Sequence, residues 1–330
     1  MRAAVVLDGR IEIQDRPVPS PGPSEVLIRV AGAGVNRADL IQRMGLYPAP
    51  QGSPPDIPGL EFSGVVADVG TLVTGLAVGD RVFGIAGGGC QAEYVCIDAS
   101  HCAHVPAALT LVAAGGVPEA FVTAHDAMVT QANVQPNDSV LIHAVGSGVG
   151  TTALQLAHAF GATAIGTART QSKLDQCRDL GLRHGIVAAP LADGRIDATA
   201  LTGAIREIAT SGIHVTLDLV GGSYVETDIA VAAAGGRIVL IGTLAGGRCT
   251  FDILATMQKR LTITGTVLRP RSTVEKAAAT SAFVRDVVPL LADRTVAPIV
   301  ERVIPLAEAQ AAYDLIATDA TFGKVILDCS

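Results

Sequence analysis

The stretch SVLIHAVGSGVGTTALQLAHAFG, residues 139–161, constrains this chain more than any other. A short apolar run breaks into glycines at Gly146, Gly148 and Gly150, and apolar residues at helical spacing follow. A buried strand that turns directly into a helix is half of a strand–helix–strand unit. Further strand-like runs come after it, ATAIGTA, HGIVAAP, HVTLDLV, RIVLIGT and LTITGTV, separated by helical patterns. This alternation predicts a doubly wound parallel sheet over residues 120–268. Gly148 and Gly150 place no side chain between the turn and an approaching pyrophosphate. The N–H groups and positive end of the following helix can then stabilise its charge. The competing reading is a turn that merely packs helix against strand, and the strand–helix–strand context favours the dinucleotide.

About 20 residues beyond such glycines, an NAD-preferring site carries an Asp or Glu on the ribose hydroxyls. This chain has GTARTQSK there, with Arg169 and Lys173 and no acid. A carboxylate repels a 2′-phosphate, whereas a guanidinium grips it with two charge-assisted bonds. The expected cofactor is NADPH.

Residues 1–119 follow a different grammar. Pro- and Gly-rich turns separate the short runs AAVVL, EVLIRVAGAGV, FSGVVADVG, DRVFGI and AEYVCI, which suits a small β-barrel. After Arg269-Pro270-Arg271 a helical stretch extends to about Asp293. Two strand-like runs then bracket the helix LAEAQAAYDLIAT. The last run, GKVILDC, resembles the early strands, so residues 269–330 are expected to return to the first domain. A chain of 330 residues, 49% hydrophobic and 17% charged, is long enough for two such cores. A net charge of -7, the lack of Trp and 3% aromatic content argue against nucleic acid as a partner.

The opening MRAAVVLDGR is too short an apolar run for a signal peptide, and Asp8 interrupts it. VAAAGGRIVLIGTLAGG is cut by Arg237 and reads as a helix end and a buried strand, not a membrane span. The six cysteines are scattered with no CxxC pair, as expected of reduced thiols in a cytoplasm.

VNRADLIQRMGLYPAP, PGLEFSGVV, VPEAFVTAHDA, LIHAVGSGVGT, DLVGGSY, VLRPR and FGKVIL occur in that order along nearly the whole chain. Together they resemble the zinc-independent quinone oxidoreductases of the medium-chain dehydrogenase/reductase superfamily, most of all the p53-inducible quinone oxidoreductase subgroup. The resemblance implies a GroES-like β-barrel catalytic domain, a Rossmann domain, NADPH and a dimer or tetramer. It also implies a turn of the form AxxGxxG from Ala144 to Gly150, including Gly148 and Val149. Ser147 stands at its middle position, where a hydroxyl can bond a phosphate or the nicotinamide ribose. Where zinc-dependent relatives place a Cys and a His, this chain has Asn36 and Leu60, and Glu61 survives alone. That ligand set is broken, so no metal is expected. HCAH at 101–104 offers no replacement, because neighbouring side chains on a strand diverge, and it reads as a structural loop.

A reaction without metal suits a quinone, an electron-poor acceptor to which a nicotinamide can deliver hydride directly. NRADLIQRMGLY is the expected wall of the substrate site. Asn36 and Tyr47 are its candidate donors to a carbonyl oxygen, and the Tyr47 ring can instead pack on a flat ligand. Arg37 and Asp39 read as a local ion pair, and His143 as a satisfied core histidine. On the cofactor side, the resemblance implies that Thr123 touches the nicotinamide. Gly242, Thr243 and Leu244 end a parallel strand, where ligands of this architecture bind. Val267 and Leu268 are expected close by, and Lys324 within reach of the adenosine phosphate. Enone or enoyl-thioester reduction is the alternative reaction, and non-catalytic NADPH binding the alternative of another class. RLTITGTVL, at the end of the parallel series, reads as an edge strand covered by its copy in a homodimer.

Overall fold

A computed structural model describes residues 1–191 and 195–330. They form two units, Met1–Val122 with Leu268–Ser330, and Thr123–Val267. The junctions fall at 122/123 and 267/268, near the expected 119/120 and 268/269.

The first unit begins with an antiparallel hairpin, β1 (Arg2–Leu7) and β2 (Arg10–Asp15). Asp8 and Gly9 make its turn with φ of 48° and 76°, the left-handed pair that a two-residue hairpin requires. β3 (Glu25–Val35) follows and leads into α1 (Arg37–Arg43). Then come β4 (Glu61–Val69), β5 (Arg81–Ile85), β6 (Tyr94–Asp98) and β7 (Cys102–His104). α2 (Leu111–Ala114) and α3 (Pro118–His125) carry the chain onward. β7 corrects the reading of HCAH as a loop, since Cys102–His104 pairs antiparallel with β5. His101 is buried against the carbonyl of Thr273 at 3.0 Å while His104 is exposed, so the two imidazoles do diverge.

The second unit alternates β8 (Ser139–Ile142), α4 (Gly148–Ala159), β9 (Thr163–Ala168), α5 (Gln171–Cys177) and β10 (His184–Val187). It continues with α6 (Ala198–Ile208), β11 (Ile213–Asp218), α7 (Tyr224–Val231), β12 (Ala232–Leu240), α8 (Ile253–Lys259) and β13 (Thr262–Gly265). All six strands are parallel, in the order β10-β9-β8-β11-β12-β13. The order reverses beside β8, which puts the glycine turn at the topological switch point. Val140, Leu141, Ile142, Val215 and Leu217 are wholly buried, as central strands covered on both faces must be.

The chain then returns to the first unit through α9 (Thr273–Asp286), α10 (Val288–Ala292), β14 (Val300–Pro305), α11 (Ala309–Ala317) and β15 (Lys324–Asp328). β15 pairs antiparallel with β3, Ile326 opposite Gly34, and completes a sheet ordered β14-β15-β3-β4-β5-β7 with β6 also on β3. Among the described residues, no helix is long and apolar enough to cross a membrane.

Candidate active site

In the second unit, Ala144 takes a φ of 49°, unusual for a residue with a side chain, and so bends the chain out of β8. Ser147 then caps α4: its backbone N–H donates to the Ala144 carbonyl at 2.9 Å, and its Oγ accepts from the Gly150 N–H at 3.1 Å. The Thr151 N–H donates to the Ser147 carbonyl at 2.8 Å. Gly148 and Val149, the first two residues of the helix, have N–H groups with no acceptor among the described residues. Two orphan donors at the positive end of a twelve-residue helix fit a pyrophosphate.

Arg169 is exposed just beyond the carboxyl end of β9, and Lys173 is half-buried in the first turn of α5. At the end of β11, Asp218 Oδ1 accepts from the Val220 and Gly221 N–H groups at 2.8 Å each, which shapes the next turn. Below this surface His143 is fully buried. Its Nδ1 lies 2.9 Å from Thr167 Oγ1 and its Nε2 2.8 Å from Asp228 Oδ1. Burial opposes the imidazolium, yet the charge and hydrogen bond of Asp228 raise the His143 pKa above the ordinary value.

The first unit holds a cluster built from four distant stretches. Asn36 opens α1, with its N–H donating to Asp39 Oδ2 at 2.8 Å. Its side-chain Nδ2 donates to Glu61 Oε1 at 2.9 Å, and its Oδ1 accepts from Lys324 Nζ at 2.6 Å. The Lys324 ammonium also pairs with Glu61, and both side chains are nearly inaccessible. The other Glu61 oxygen accepts the Glu119 N–H at 2.8 Å. Gly34 of β3 is obligatory here, since a methyl at that position would collide with the Glu61 carboxylate.

Beside this cluster, Arg269 secures α1 and two loop segments. Its Nε donates to the Gly87 carbonyl at 2.7 Å, Nη1 to the Tyr47 carbonyl at 2.9 Å, and Nη2 to Gln42 Oε1 at 2.6 Å. The guanidinium also lies 4.8 Å from the centre of the Tyr47 ring. Burial pushes the Tyr47 pKa up, against the pull of Arg269, so its hydroxyl is a neutral donor rather than an acidified phenol. Glu119, half-buried in the first turn of α3, is pushed up to about 8 by burial and by Glu61, against Lys324.

Two profiles match the chain, "Alcohol dehydrogenase GroES-like domain" over residues 22–107 and "Zinc-binding dehydrogenase" over residues 148–282. A solved alcohol dehydrogenase superfamily protein from Novosphingobium aromaticivorans is 30% identical, with 99% of each chain covered and a TM-score of 0.86. The chain belongs to the medium-chain dehydrogenase/reductase superfamily. Escherichia coli quinone oxidoreductase complexed with NADPH is 26% identical, covering 96% of this chain and 95% of that one, with a TM-score of 0.82. A mycocerosic acid synthase-like polyketide synthase of Mycobacterium tuberculosis is 32% identical over 308 residues. That match covers 93% of this chain, which spans 14% of the synthase's length.

Within this superfamily of nicotinamide-dependent oxidoreductases, the structure redistributes several expected roles. Lys324, expected within reach of the adenosine phosphate, is buried in the first unit, where Glu61 and Asn36 hold its ammonium as a buried charge requires. The same bonds use the Asn36 Oδ1 and one of its two amide N–H donors, which makes it a support for the cluster. Arg37 pairs with Asp319 instead of Asp39. Asp39 is turned inward, accepting from the Gly59 N–H at 3.1 Å and Gln91 Nε2 at 3.3 Å, and burial pushes it up to about 6.

Gly150 serves packing, because a methyl there would strike the Ala144 and Val145 carbonyl oxygens. The Ser147 hydroxyl is an acceptor in the helix cap, with its proton left to donate. Gly242 likewise lies tight on Leu219. Thr243, Leu244 and Val267 are exposed, Thr123 is buried at the start of the second unit, and Leu268 is buried in the first. Arg269 and Glu119 were not foreseen as site residues. VLRPR signalled Arg269 as a motif without revealing its partners.

Proposed function

We propose that this protein is an NADPH-dependent quinone reductase that works without a metal. The observation that carries the reading is the cluster of Asn36, Glu61 and Lys324. The ammonium takes the cationic place beside Glu61, and the unit offers a ligand neutral donors, the Tyr47 hydroxyl and the Glu119 carboxyl. A quinone suits such donors because it carries its own driving force, whereas an unactivated ketone needs a Lewis acid or a strong proton donor. When bound, NADPH supplies the hydride. Gly148 and Val149 offer N–H groups to its pyrophosphate, and Arg169 and Lys173 offer positive charge to its 2′-phosphate. The likeness to a quinone oxidoreductase complexed with NADPH supports this choice.

The polyketide synthase relative favours a second reading, reduction of an enone or enoyl thioester, which also requires an unsaturated acceptor but no metal. Initial rates with NADPH across ortho- and para-quinones, enones and enoyl thioesters, and with NADP+ and simple alcohols, distinguish the two. Quinones are expected to be fastest, and alcohol oxidation at a rival rate would sink both. The scattered thiols support a reducing cytoplasm, and the edge position of β13 supports a homodimer.

A further inference from the structure

We propose that Glu119 is the acid of this site: its carboxyl hydrogen-bonds the oxygen of the acceptor and gives it a proton as the acceptor is reduced. The inference rests on the quinone-reductase reading and assigns that reaction its proton source.

Most of the charged and amide groups gathered around Glu119 are already bonded within the first unit. Asn36 and Lys324 are bound to Glu61 and to each other. Arg269 donates to Gly87, Tyr47 and Gln42, and Asp39 accepts from Asn36, Gly59 and Gln91. The Tyr47 hydroxyl has no hydrogen-bond partner among the described residues, but it is a phenol made less acidic by burial. The Glu119 carboxyl is half-buried and has no hydrogen-bond partner among the described residues.

Its charge state follows from its neighbours. Glu61 on β4 accepts the backbone N–H of Glu119, and its carboxylate lies within electrostatic range of the Glu119 carboxyl. Lys324 on β15 is at bonding distance from Glu61, so the shared cation neutralises that carboxylate first. Asp39 on α1 adds like charge, while Arg269 adds opposite charge. Tyr47 and, from α9, Lys276 also lie within electrostatic range. Two acids beside one ammonium in a desolvated site do not both ionise; one keeps its proton. Burial and Glu61 outweigh Lys324 and hold Glu119 as the acid up to about pH 8.

The step balances. Hydride from the nicotinamide reductant converts the quinone to the hydroquinone anion. The Glu119 O–H bond breaks, its proton goes to the oxyanion, and the carboxylate regains a proton from solvent. Glu119→Gln keeps the shape and removes the transferable proton.

Two measurements test the assignment. In the cofactor-free protein at pH 7, the infrared difference between wild type and Glu119→Gln should contain a carboxylic-acid C=O band that disappears near pH 8. A carboxylate band at pH 7 overturns the proposal whatever the activity. In turnover with a quinone, Glu119→Gln should lower kcat by about 10²-fold with the KM for NADPH unchanged. It should also abolish the alkaline limb near pH 8 that the wild type shows, whereas Glu119→Asp should retain that limb. A Glu119→Gln enzyme with wild-type kcat and limb overturns the proposal and leaves the quinone reading intact. Absence of wild-type turnover on quinones defeats the quinone reading, and the infrared arm then still reports whether Glu119 is protonated. If Glu119→Gln does not fold, the wild-type infrared titration and the Glu119→Asp pH profile decide.

Discussion

Arg169 is the proposed 2′-phosphate ligand because it stands at the end of β9, where a ribose-binding acid would otherwise stand. Arg169→Ala is expected to weaken NADPH binding by about ten- to hundredfold, the worth of a charged hydrogen bond at about 1.5–3 kcal/mol, and to leave NADH nearly unchanged. Fluorescence titration with both cofactors checks this. Equal losses would make Arg169 structural and leave Lys173 as the phosphate partner. Glu119 gives a pH effect that no catalytic assay is needed to see. Its pKa is raised from 4.5 to about 8 in the folded protein. The folded state therefore binds the proton more tightly than the unfolded chain. The stabilisation from that proton is complete below about pH 4.5 and is lost as pH rises through about 8. Melting temperatures of wild type and Glu119→Gln should diverge over that window, with the wild type falling relative to the variant. A constant difference from pH 5 to 8.5 would contradict the assignment.

The turn between β8 and α4 has three backbone devices: Ala144 in the left-handed region, the Ser147 cap, and Gly150 tight against two carbonyls. The glycine pattern was legible, but the division of labour among its members was not. Gly148 begins the helix with an open N–H, whereas Gly150 allows that helix to lie on the turn. Gly150→Ala should therefore destabilise the protein by about 1–3 kcal/mol in urea unfolding without cofactor, an overpacking cost. Unchanged stability with lost NADPH binding would return Gly150 to phosphate approach. β7 was missed because three residues are too few for an alternating pattern, and its partner β5 lies on the far side of β6 in the chain.

At the level of the whole molecule, β13 ends the parallel sheet with one edge unpaired among the described residues, and Ile253, Leu254 and Met257 on α8, just before it in the chain, are exposed. An apolar helix beside an open strand edge is a surface that a second copy can cover. Sedimentation should show a species of twice the chain mass at micromolar concentration. A monomer alone at that concentration would end the idea.

The sequence by itself determined the two architectures, the order of the parallel strands' elements, the glycine turn and the basic residues after β9. These depend on local periodicity and on backbone freedom at single positions, which neighbouring residues encode. Tertiary structure alone decided which charges meet. Lys324 and Glu61 are 263 residues apart, and Arg269 reaches Gln42 across 227. Such pairs leave no periodic trace, because a sheet that closes β15 onto β3 chooses the partners. Burial at that closure then removes water, so an ammonium is held by a carboxylate and a neighbouring acid keeps its proton.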